Sequence, residues 1–132
     1  MTNEGENTPP SHRPIAVIDD DLGVRAALCN LLDSAGHRSC SFYRAEDFLS
    51  STCLPVACCA IVDLNLPQMG GFELAERLAQ LRPGLPVLFI SAQVTPLQRQ
   101  RATDMGLALL AKPVDADILL VMLTATLLYG PP

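Results

Sequence analysis

Five short runs constrain this chain more than any other feature: IAVI (15–18), RSCSFY (38–43), CCAIV (58–62), PVLFI (86–90) and LALLA (107–111). Four of the five are apolar at consecutive positions instead of alternating, so both faces of each must be covered. The segments between them carry helical spacing. Residues 22–35 place Leu22, Ala26, Leu28, Cys29, Leu31, Leu32 and Ala35 at helical spacing, and Gly36 follows as a stop. Residues 45–51 form a short helix with acids in its first turn. Residues 72–81 bring Phe72, Leu74, Ala75, Leu78 and Leu81 together before RPG closes the pattern. A mostly polar helix follows at 95–105, and a last one at 115–129.

Strand and helix therefore alternate five times. Strands buried on both sides require a parallel sheet sandwiched by helices, and right-handed crossovers leave few ways to connect it. The expectation is an α/β fold: a flavodoxin-like, doubly wound, five-stranded parallel sheet, (βα)5, in strand order 2-1-3-4-5. Residues 15–129 make one domain, for which 49% apolar residues supply the core. Residues 1–14, MTNEGENTPPSHRP, are polar, proline-containing and aperiodic, and read as a disordered N-terminal tail; 130–132 form a short C-terminal tail.

A net charge of −5, with the basic residues Arg77, Arg82, Arg99, Arg101 and Lys112 scattered, argues against nucleic-acid binding by this chain alone. No basic-then-apolar leader opens the sequence. Five cysteines without a C-x-x-C spacing then suggest a reducing, cytoplasmic setting, with the thiols free and used as small hydrophobes. Adjacent Cys58 and Cys59 are expected on opposite faces of a strand. The apolar part of the last helix is too short to span a bilayer, which takes ~20 residues.

In an open parallel sheet, ligands bind beyond the carboxyl ends of the strands. At those ends this chain places Asp19, Asp20 and Asp21, then Asp63 and Asn65, then Ser91, then Lys112 and Pro113. Taken singly each has a bland explanation: Asp20 or Asp21 as a helix cap, Ser91 as a turn residue, Lys-Pro as a loop dipeptide. Four strand ends in the right order carrying this set make the bland explanation improbable. Clustered carboxylates need a cation between them, and oxygen donors with few carboxylates suit Mg²⁺. The absence of His and Cys from these loop positions argues against zinc. A divalent ion, an ammonium, a hydroxyl and a central carboxylate are equipment for phosphoryl transfer, with that carboxylate as nucleophile.

The motifs VIDDD (17–21), IVDLNLPQMGGFEL (61–74), LPVLFISA (85–92) and AKP (111–113) make the chain similar to the receiver domains of two-component response regulators. YRAEDFL (43–49) and the opening helix look most like receivers of FixJ-like regulators. The resemblance implies a signalling switch, not a turnover enzyme, that takes a phosphoryl group from a sensor histidine kinase. Asp63 would be the phosphoacceptor. Asp20, Asp63 and the backbone carbonyl of Asn65 would hold Mg²⁺, with Asp19 acting through water. Lys112 and Ser91 would each contact a phosphoryl oxygen, small Ala92 would leave the donor's approach open, and Pro113 would follow a cis peptide. Output would leave through the face of the fourth helix, fifth strand and last helix.

Two features stand out, the first as a departure from the family pattern. An aromatic switch residue is usual three positions before the lysine, where this chain has Leu109. The last helix carries no charge from Ile118 onward, which points to a homodimer or another protein packing on Ile118 to Leu128. Two alternatives remain. One is a Mg²⁺-dependent phosphohydrolase with an Asp nucleophile, against which Asn65 stands where a second acid is needed. The other is the receiver part of a longer DNA-binding transcription regulator.

Overall fold

A computed structural model describes residues 12–129. The expected tails lie outside the described residues except for positions 12–14. There, the Pro14 carbonyl accepts the Cys58 N–H at 3.0 Å, which sets the entry into the first strand.

The elements are β1 (Ile15–Ile18), α1 (Leu22–Ser34), β2 (Ser39–Phe42), α2 (Ala45–Leu49), β3 (Cys59–Asp63), α3 (Gly71–Leu81), β4 (Val87–Ser91), α4 (Pro96–Asp104), β5 (Ala108–Ala111) and α5 (Ala116–Tyr129). All strand pairs are parallel, in the order β2-β1-β3-β4-β5. The doubly wound arrangement is the expected one, and the alternation of side chains along each strand explains how the helices divide between its faces. Ala16, Ile18, Ala60, Val62, Val87, Phe89 and Leu109 point to one side and pack with Phe48, Leu74, Leu78 and Ala102 of α2, α3 and α4. Ile15, Val17, Ile61, Leu88 and Ile90 point to the other and meet Leu28, Leu32, Leu119 and Leu123 of α1 and α5. Each such leucine or isoleucine, buried fully, contributes about 1.5–3 kcal/mol.

Three details differ from expectation. β3 and β4 each start and end one residue later, and the ladder runs through Asp63↔Ile90 and Ser91↔Ala111. Asp63 and Ser91 are therefore held by strand hydrogen bonding and not by a loop. Cys58 sits in the bend before β3, where its thiol donates to the Arg13 carbonyl at 3.3 Å, so it does not alternate with Cys59. Both pack against the α1/α5 side of the sheet. Nor are all the thiols free: Cys40 of β2 and Cys53, in the turn after α2, are joined as a disulfide, while Cys29, Cys58 and Cys59 are free. The pair meets because both residues face the α2 side of the sheet, a proximity that a spacing of 13 residues through an aperiodic turn does not reveal.

Candidate functional site

The carboxyl ends of β1, β3, β4 and β5 converge on one rim. Asp19, the first residue beyond β1, is fully buried, and Asp63, the last residue of β3, is 2% exposed. Asp20 beside them is exposed. The three offer carboxylate oxygens within 4.8 Å of one another. Lys112 Nζ enters from the end of β5 and lies 2.7 Å from Asp19 Oδ2 and 3.3 Å from Asp63 Oδ2. The peptide between Lys112 and Pro113 is cis.

Backbone and neighbouring side chains hold each acid in place. Asp19 Oδ1 accepts the Asp21 N–H at 2.8 Å, and Asp21 in turn caps α1 by accepting the Val24 N–H at 3.1 Å. Capping and site geometry are thus divided between neighbours: Asp21 opens the helix and leaves Asp19 and Asp20 to the rim. Arg25, one turn into α1, donates to the Asp19 carbonyl at 2.7 Å. Asp63 Oδ1 accepts the Asn65 N–H at 3.1 Å.

The charges do not balance. Burial, more than any other cause, pushes the Asp63 carboxyl above its ordinary range; the Asn65 N–H pulls it back, the Asp19 carboxylate raises it further and Lys112 opposes. Desolvation would lower the Lys112 ammonium, but hydrogen bonding and attraction to Asp19 and Asp63 outweigh it and hold the group above its usual value. Three ionised carboxylates against one ammonium leave two negative charges, which one divalent cation neutralises. The donor set is all oxygen, as Mg²⁺ requires. Asp19, Asp20 and Asp63 therefore fit such an ion, and Asn65, in the turn after β3, is exposed beside them.

Ser91 ends β4 with its side chain buried, and the Lys112 N–H donates to the Ser91 carbonyl at 2.8 Å, which ties the hydroxyl and ammonium positions together. Ala92 beside it is exposed and small. Leu109 is 7% exposed and packs among the α2/α3/α4-side core residues. An apolar cavity of ≈ 300 Å³ lies at the other end of the sheet, between Leu85, Gly106, Ala108 and Met122, away from every ionised group at the rim.

Two supporting residues escaped sequence reasoning. Arg25 reads as an ordinary surface arginine within an amphipathic helix. Gln98 had a legible signal, the Thr95-Pro96-Leu97-Gln98 capping-box spacing at the start of α4.

Comparison with known proteins gives a consistent result. The family model "Response regulator receiver domain" matches residues 15–124. Nodulation protein W of Bradyrhizobium diazoefficiens is 32% identical over 126 residues, 93% of this chain and 56% of that protein. Response regulator protein TodT of Pseudomonas putida is 30% identical over 118 residues, 89% of this chain and 52% of that protein. Among solved structures, response regulator StyR superposes with a TM-score of 0.77 at 32% identity, covering 89% of this chain and 61% of that one. The chain spans about half the length of the two curated relatives.

Proposed function

This chain belongs to the response regulator receiver domain family, and from that we propose that Asp63 is the residue that accepts the phosphoryl group, from a phosphohistidine of a sensor kinase. A carboxylate oxygen of Asp63 attacks phosphorus, the P–N bond breaks, and the imidazole leaves with the electron pair. The observation that supports this most directly is the meeting of Asp63, Asp19, Asp20 and Lys112, with Lys112 Nζ 3.3 Å from Asp63 Oδ2. Asp20, Asp63 and the Asn65 carbonyl would hold Mg²⁺, with Asp19 acting through water, and the ion would supply charge neutralisation there. Lys112 adds a fixed point charge for one phosphoryl oxygen, and the Ser91 hydroxyl serves another. The exposed, small Ala92 leaves the donor's approach open.

The domain is then a phosphoacceptor whose product is its own modified state. Such a role belongs on the cytoplasmic side of a cell. Among the described residues no helix is long and apolar enough to cross a membrane. Output leaves by the face of α4, β5 and α5, where the uncharged outer surface of α5 between Ile118 and Leu128 receives a second copy of the chain.

Incubation with acetyl phosphate and Mg²⁺ followed by intact mass measurement tests the site. The expected gain is one phosphoryl group, absent without Mg²⁺ and absent in Asp63→Asn. An unchanged wild-type mass with several small phosphodonors would falsify the assignment.

A further inference from the structure

The hydroxyl of Ser91 already has partners, and they lie on the side of α4. Its Oγ donates to the Gln93 carbonyl at 3.0 Å and to Gln98 Oε1 at 3.3 Å. A hydroxyl has a single proton, so the two acceptors share it. Gln98 is the third residue of α4, and its side chain works in two directions. The same Oε1 accepts the Thr95 N–H at 3.3 Å, while Thr95 Oγ1 accepts the Gln98 N–H at 3.1 Å, closing the capping box. One amide oxygen thus serves both the buried hydroxyl at the phosphorylation rim and the backbone that starts the helix.

α4 is an element that such a bond can govern. Of its residues only Ala102 is buried, and its mean character is strongly polar. Its tie to α3 is Arg101, which meets Glu76 at 3.0 Å and lies 4.4 Å above the Phe72 ring, near the far end of the helix. A helix with one buried residue draws a large share of its order from its cap, and segments of this kind open at low free-energy cost.

We propose that Gln98 is the positioning residue that couples phosphorylation to α4. In the unmodified domain it holds the Ser91 hydroxyl on the α4 side. When the phosphoryl group on Asp63 takes that hydroxyl, Gln98 loses one of the two donors that fix its side chain. Its rotamer freedom returns, the Thr95 N–H loses a partner, and the first turn of α4 loosens. The exchange requires no aromatic side chain at position 109, which fits Leu109 remaining in the core. The inference rests on the reading that Ser91 follows the phosphoryl group.

The test uses the whole chain with Mg²⁺, with and without beryllofluoride as a phosphoryl mimic. Amide hydrogen exchange is read at Thr95, Gln98 and Arg99, the three N–H groups bonded within the cap. In the wild type, beryllofluoride speeds exchange at these amides at least about threefold. In Gln98→Met, which keeps length but loses the acceptor, exchange is fast from the start and the mimic adds nothing. That variant also binds beryllofluoride roughly 3- to 10-fold more tightly, because Ser91 then leaves only the Gln93 carbonyl to reach it, and no longer the Gln98 amide oxygen as well. A residue that only caps the helix would raise exchange without moving this affinity. Binding that depends on Asp63 but leaves these amides unchanged, or an unaltered affinity in Gln98→Met, overturns the role of Gln98 alone. A wild type that binds no beryllofluoride overturns the phosphoacceptor reading and this inference together.

Discussion

Gly71 lies so close to the phosphoacceptor strand that no side chain fits there. A Cβ built on it would stand 2.5 Å from the Asp63 carbonyl oxygen and 2.8 Å from Leu64 Cα. Both are backbone atoms, so a rotamer change cannot relieve the clash. At Gly70 the same atom would meet only the Leu64 oxygen, at the ordinary distance of 3.6 Å. Gly71→Ala is therefore expected to cost about 1–3 kcal/mol in denaturant unfolding, and to slow phosphoryl uptake by shifting Asp63. Gly70→Ala should cost less than half as much, and equal losses at the two positions would refute the close-approach account. Both glycines stand out in the sequence as loop-shaping residues, yet the pressure of one of them on Asp63 depends on α3 packing back against its own strand. Asp63, Ser91 and Lys112 were legible because strand ends can be located from apolar runs alone. The Cys40–Cys53 pairing was not, because it joins an edge strand to a turn without periodicity.

Among the elements, α5 departs furthest from an ordinary surface helix. Leu119 and Leu123 are buried against the sheet, yet Ile118, Val121 and Leu128 remain 51%, 69% and 69% exposed. The exposed three are spaced by three and seven residues, so they line one outward stripe. The sequence showed the anomaly as a helix with no charge from Ile118 onward, and the fold divides it into a buried face and an uncovered one. A single acid in that stripe tests whether a second copy covers it. Val121→Glu should leave the melting free energy within about 0.5 kcal/mol, since Val121 contributes little to the core. It should also weaken self-association in light scattering at matched concentrations. If the wild type is monomeric throughout, with and without beryllofluoride, the stripe has another occupant. Element positions were otherwise readable to within one or two residues. The last residue of β3 and of β4 was hidden because a charged Asp63 and a polar Ser91 do not advertise themselves as strand.

For the whole molecule the unbalanced charge at the rim is a stability term. Because the folded state holds the Asp63 carboxyl above its ordinary range, the native state binds more protons than the unfolded chain between about pH 4 and that raised value. Stability of the metal-free protein therefore falls as pH rises through this window and levels off above it. Mg²⁺ favours the ionised carboxylates, so it removes the slope and adds binding free energy, about 2.7 kcal/mol at a concentration 100 times its dissociation constant. Asp20 separates this effect from simple packing. It is exposed and makes no ion pair with Lys112, which instead contacts Asp19 and Asp63. Asp20→Asn should accordingly melt near the wild type in EDTA and lose most of the Mg²⁺-induced rise in Tm. Thermal melts from pH 4 to 7, in EDTA and in Mg²⁺, measure both effects at once. If Mg²⁺ stabilises Asp20→Asn as much as the wild type, the ion is held somewhere other than this rim.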